Sequence, residues 1–153
     1  MLYVEKTTPE DCFRLAPNLK QLDKFEVALW GFDPLQALLL PFRYKTLSKH
    51  TYTVFDKSDN VVAIFGVTPV TNKPTAGRIW LLSSDLLEKN FFYFLKVNKR
   101  WLHYLEEDYT HLSNYITEEH ETSIKWLKWQ GFIFSEKPML VKNVKVLYFY
   151  KRL

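Results

Sequence analysis

HETSIKWLKWQGFIF, His120 to Phe134, is the stretch that decides the fold. Glu118 to Gln130 read as one helix. Glu118, Glu119 and Glu121 fall in its first turn, where the amide end of the helix favours negative charge. Gly131 stands in the C′ position, where a residue without a Cβ can take the left-handed conformation that closes a helix. Phe132-Ile133-Phe134 then reads as a strand. A helix that stops on Gly and turns at once into an aromatic strand belongs to a layered α/β or α+β chain.

Working outward, His111 to Ile116 form the strand before this helix. Upstream, Leu87, Phe91, Phe94, Leu95, Trp101, Leu102 and Leu105 make one apolar stripe. It predicts a helix, or two abutting ones, capped by Ser83-Ser84-Asp85 and ending near Glu107. Arg78 to Leu82 are a strand and 71–77 a loop. Thr51 to Phe55, the turn 57–60 and Val61 to Val67 predict an antiparallel hairpin. Its second strand is apolar on both faces and should be central. Leu2-Tyr3-Val4 open the chain as a strand. Thr8-Pro9-Glu10-Asp11 then start a helix with a hydroxyl cap, a first-turn Pro and two acids. Leu15 to Leu29 keep helical spacing, bent at Pro17, and Asp33-Pro34 restart a helix that Pro41 bends or ends. Val144 to Tyr150 are the last strand, joined to Phe134 by a loop containing Pro138. Strand, helix, strand, helix, strand beside a hairpin means a mixed sheet with helices on its faces. With no repeat or linker, residues 1–153 read as one domain.

Composition narrows the function. Of 153 residues, 47% are hydrophobic, which is enough for a core and excludes general disorder. No apolar run approaches the ~20 residues of a membrane span, and MLYVEKTTPEDC has no secretory pattern. One cysteine, Cys12, closes no intrachain disulfide, so a reducing compartment is expected. Cys12 and four scattered histidines show no metal-ligand spacing, so no metal is expected. The net charge of +4 is spread along the chain and disfavours nucleic acid as the partner.

The order of elements from Trp80 to Phe132 resembles the GNAT (Gcn5-related N-acetyltransferase) fold, and the likeness extends over nearly the whole chain. The polar residue His120 opens the helix, the small Ser123 follows three later, and Gly131-Phe132 close it. IFGVTPV, RIWLLSSDLL, FLKVNKRWLHYL and LSNYITEEHETSIKWLKWQGF are similar to a GNAT-like family of T7-like phages and prophages that includes an internal virion or core protein. The resemblance implies a mixed, mostly antiparallel sheet with helices on both faces. It implies acetyl-CoA as the cofactor, held at Leu82, Ser83, Ser84, Lys89 and Ser123, and a backbone N–H near Leu82 polarising the thioester. It also implies a protein of the host cytoplasm, virion-associated or free, with a phage or host protein as partner. The aromatic load admits a homodimer.

Three departures argue against retained catalysis. GNAT enzymes hold the diphosphate on a Gly-rich loop, because the backbone must come close with no Cβ in the way. Here Leu82 to Lys89 contain no glycine, and Asp85 and Glu88 lie where an anion should sit. The position of the leaving-group acid, commonly Tyr, is Leu127, which has no proton to give. The opener, commonly Asn, is His120, a candidate base, with Asp85 the other. Each residue also has a plain structural reading. His120 is then a helix-start residue with a solvated ring among the three glutamates, Ser83 and Ser84 an N-cap pair, Asp85 a dipole partner, and Cys12 inert. Trp126 and Trp129, with Lys125 and Lys128, are core and turn cover, or an aromatic-basic surface for a partner. Lys96, Lys99 and Arg100 are a solvated helix face, or a phosphate-contacting stripe. Two functions follow: a GNAT scaffold in assembly or host interaction with weakened or lost chemistry, or an active acyl-CoA-dependent N-acetyltransferase.

Overall fold

The computed structural model describes residues 1–43 and 50–153. The chain runs β1 (Leu2–Lys6), α1 (Pro9–Leu15), a 3-10 turn (Ala16–Asn18), α2 (Gln21–Leu29), α3 (Pro34–Arg43), β2 (Thr51–Asp56), β3 (Val61–Val70) and β4 (Lys73–Ser83). It continues with α4 (Leu86–Lys89), α5 (Phe91–Glu106), β5 (His111–Thr117), α6 (Glu121–Trp129), β6 (Ile133–Phe134), β7 (Met139–Val141) and β8 (Val144–Arg152). The fold is mixed α/β. One eight-stranded sheet has the order β1-β2-β3-β4-β5-β8-β6, with β7 also on β8. Among its pairs only β4 with β5 is parallel.

The sheet separates two cores. On one face Phe94 and Leu102 of α5 and Trp126 of α6 pack with Val54, Phe65 and Val67. On the other, Cys12, Leu15 and Leu38 pack with Phe55 and Ile64. Neighbouring Ile64 and Phe65 thus point to opposite faces, as strand geometry requires, and β3 is apolar on both sides because both are covered.

Local chemistry sets the ends of the elements. Thr8 Oγ1 accepts from the Asp11 amide at 3.4 Å, and Asp11 Oδ2 accepts from the Thr8 amide at 3.0 Å, a reciprocal cap on α1. Pro17 stands in the 3-10 turn that separates α1 from α2. At the end of α6, Gly131 has φ +94°, and the amides of Phe132 and Gly131 return to the carbonyls of Leu127 and Lys128.

Several boundaries differ from the sequence reading. Asn72, at φ +65°, makes a tight turn with Thr71, so β4 begins at Lys73 instead of after a loop. The left-handed pair Lys142-Asn143 turns β7 back onto β8, giving a hairpin where a loop was expected. Of the two abutting helices that the stripe allowed, α4 has Asp85 as its N-cap, while the long one, α5, starts at Phe91 with Asn90 as its N-cap, so Ser83 and Ser84 do not cap the long helix. α6 starts at Glu121, leaving Glu118 and Glu119 outside its first turn. α3 runs on to Arg43 through Pro41.

Candidate functional site

β4 and β5 form a parallel ladder only where Ala76–Arg78 meet His111–Ser113. Beyond it the strands part. β4 stays on β3 as far as Ser83, and β5 stays on β8 as far as Thr117. At the fork Asn114 Nδ2 donates to the Ile79 carbonyl at 2.9 Å, a side chain standing where the ladder has ended. The opening is a mainly apolar cleft of about 260 Å³. Ile79 to Leu82 form one wall and Asn114 to Ile116 the other. α2 contributes Asp23, Glu26 and Trp30, and α6 brings His120, Ser123 and Leu127.

Three titratable groups meet in this cleft. His120 Nε2 lies 2.6 Å from Asp23 Oδ1 and 3.8 Å from Glu26 Oε2. His120 Nε2 and Asp23 Oδ1 are joined by this short hydrogen bond. His120 Nδ1 is buried without a hydrogen-bond partner. His120 is 3% exposed, so the expected solvated ring among Glu118, Glu119 and Glu121 is corrected: its acids are Asp23 and Glu26 of α2. Burial pushes the Glu26 carboxyl up to about 7, reinforced by the Asp23 charge, while His120, the Thr117 amide and Lys20 pull the other way. One donor atom from each of Asp23, Glu26 and His120 lies within 4.8 Å of the others, spacing that a cation could bridge. Both oxygens of Asp23 are already engaged, however, one on His120 and the other on β4.

That second contact closes the end of β4. Asp23 Oδ2 accepts from the Ser83 amide at 2.8 Å and from Ser83 Oγ at 3.4 Å. The Ser83 carbonyl accepts from the Lys20 amide at 2.9 Å, and Leu19 bridges Ser84. The start of α2 is therefore laid along the edge that β4 exposes once it leaves β5. The Ser84 amide donates to the Val62 carbonyl at 3.0 Å, and Ser84 Oγ accepts from the Leu86 amide at 3.3 Å. Lys20 Nζ reaches Glu88 at 2.8 Å.

Of the residues singled out in the sequence, His120, Leu82 and Ser123 line the cleft. Ser83 and Ser84 are buried and bonded within the protein, and Lys89 is exposed at the end of α4. Sequence reasoning missed Asp23 and Glu26. Their available signal was two acids three apart on a helix otherwise marked by its leucines, with Val27 buried beside them. Leu127 is buried and offers no proton. Burial, with the Asp11 charge beside it, pushes the Cys12 thiol up to about 12, so it carries no thiolate at neutral pH. Trp126 packs in the core and Trp129 is exposed.

No family model matches the chain, and no curated protein matches it. Solved structures do. Ard1 from Thermoplasma volcanium superposes with a TM-score of 0.72 at 12% identity, over 99% of this chain and 97% of that one. Spermidine N-acetyltransferase from Vibrio cholerae, in complex with CoA and spermine, gives 0.69 at 11% identity over 99% and 95%. A GNAT-family acetyltransferase from Streptococcus pneumoniae gives 0.64 at 12% identity over 100% and 99%. The chain thus shares, end to end, the fold of solved GNAT acetyltransferases.

Proposed function

We propose that this chain is a phage-encoded, single-domain GNAT-like protein that has lost acetyl-CoA chemistry and acts through a phage or host protein, in virion assembly or in the infected cell's cytoplasm. The observation that carries the reading is the occupied edge of β4. A diphosphate needs free amides that point at it and no competing negative charge. The Ser83 amide is held by Asp23, the Ser84 amide by Val62 and the Leu86 amide by Ser84. The Asp23 carboxylate already plays the anion's part. Asp85 adds charge of the wrong sign, and Lys20 is already paired with Glu88. The residues present do not fit the cofactor. The phage assignment rests on the sequence segments quoted above. Among the described residues no helix is long and apolar enough to cross a membrane.

A second reading, an active N-acetyltransferase acting on an amine of a host or phage protein, is favoured by one observation. Glu26, with a carboxyl near pH 7 at the fork, is suited to take a proton from an ammonium group.

Titration with CoA separates the two. A ligand present at 100 times its Kd adds about 2.7 kcal/mol of stability. The scaffold reading expects no change in Tm at 1 mM CoA, and a saturable shift with micromolar affinity would overturn it. The partner half is read by purifying the tagged protein from infected cells. Recovery of a defined capsid, core or host protein supports it, and recovery of the chain alone contradicts it.

A further inference from the structure

We infer that α5, α6 and β6 together present a docking surface for an acidic protein partner. Three lysines stand over aromatic rings there. Lys96 Nζ lies 4.6 Å from the centre of the Phe92 ring, Lys99 Nζ 5.9 Å from Trp129, and Lys128 Nζ 5.7 Å from Phe134. The second pair links α5 to α6 and the third links α6 to β6, so the three pairs form one continuous surface. Beneath it Trp126 Nε1 donates to Asn98 Oδ1 at 3.2 Å, a buried bond that fixes one helix against the other.

Two features mark this surface as unsatisfied. Phe92 is 66% exposed and Trp129 54%, large rings left in water. The lysines also lack carboxylates. Among the described residues the lysine ion pairs use Lys20 and Lys151, and none involves Lys96, Lys99 or Lys128. Lys125 and Arg100 add exposed charge of the same sign. The surface lines no part of the cleft, so the fate of acetyl-CoA does not explain it.

Charge decides the occupant. A second copy laid face to face would bring cations against cations. Single-stranded nucleic acid tracks a basic groove that carries stacking rings, whereas the chain's net charge of +4 is spread along the sequence and one face of each ring already carries an ammonium group. A protein surface with carboxylates around an apolar centre fits both halves: its acids meet the lysines, and its apolar part meets Trp129 and Phe92. This inference rests on the protein-partner half of the reading above and not on the loss of cofactor chemistry.

The test titrates the full chain with a random copolymer of Glu and Tyr at a ratio of about 4:1, followed by tryptophan fluorescence. Saturable binding is expected, weakened roughly tenfold between 50 and 300 mM salt as screening shortens. Trp129→Ala, and separately Lys99→Glu with Lys128→Glu, should each weaken binding about tenfold with an unchanged Tm. The control pair Lys57→Glu with Lys73→Glu makes the same change of net charge at two exposed positions outside α5, α6 and β6, and should stay within about threefold. No binding, or an equal loss in the control, overturns the proposal. So does tighter, Trp129-dependent binding of a thymidine 20-mer, or a dimer in sedimentation that Trp129→Ala dissociates. CoA titration of the same variants reports the cofactor reading separately.

Discussion

Asp23→Ala tests the central junction of the molecule. The side chain is 2% exposed and holds two partners at once: the Ser83 amide at 2.8 Å and His120 Nε2 at 2.6 Å. Truncation leaves a buried amide and a buried imidazole unpaired. A buried polar group stripped of its partner costs about 1–3 kcal/mol, so the two together cost about 2–6 kcal/mol. At roughly 2–4 °C per kcal/mol for a chain of this size, Tm should fall by about 4–24 °C. Asp23→Asn should cost less, because its amide oxygen can still accept from Ser83. Urea denaturation of the wild type, both variants, His120→Ala and the Asp23→Ala/His120→Ala double variant measures the coupling. The double variant should lose at least ~1 kcal/mol less than the sum of the singles. A loss under about 1 kcal/mol for Asp23→Ala, or strict additivity, would mean that Asp23 does not hold α2 to β4, and the account of the closed edge would fall with it.

Glu26 gives a pH signature. Its folded-state carboxyl lies near 7 against an ordinary 4.5, so the folded chain holds this proton more tightly than the unfolded one. The stability is complete below pH 4.5 and is lost as pH rises through about 7, by roughly 3 kcal/mol. Glu26→Gln should flatten that slope in urea midpoints taken at pH 5, 6, 7 and 8, and an unchanged slope would refute the assignment. Gly66→Ala should destabilise by about 1–3 kcal/mol or more in thermal melting, since an added Cβ would press on the His50 carbonyl and come within 3.1 Å of Trp80 Cζ2. Thr8→Ala, which removes the cap of α1, should lower stability by about 1 kcal/mol in the same assay.

What the sequence revealed depended on the range of the interaction. Thr8-Pro9 and Gly131 were legible because a cap or a left-handed turn is decided within four residues, and those bonds formed as read. The central place of β3 was legible because an apolar run covered on both faces leaves no polar alternation. β7 was not: three residues between Pro138 and the Lys142-Asn143 turn carry too little pattern, and pairing with β8 is what makes them a strand. His120 was assigned to the wrong acids for a related reason. Its sequence neighbours Glu118, Glu119 and Glu121 are visible at a glance, whereas Asp23 lies 97 positions away and meets it only after the sheet has closed.

The same long-range contact links structure to function. The fork between β4 and β5 comes from backbone pairing, and the fold as a whole is shared with Ard1 and the spermidine N-acetyltransferase at 11–12% identity. The scaffold therefore does not depend on the side chains that would make it an enzyme. Asp23 shows how the cleft can keep its shape without a guest. Its carboxylate holds the exposed amide of Ser83, ties down His120 and anchors α2 across the opening. A strand edge left open in a sheet invites foreign pairing, and here Lys20 and Asp23 satisfy it from within. With Ser83 held in this way, the proposed reading places the protein's working contacts on the lysines and rings of α5 and α6.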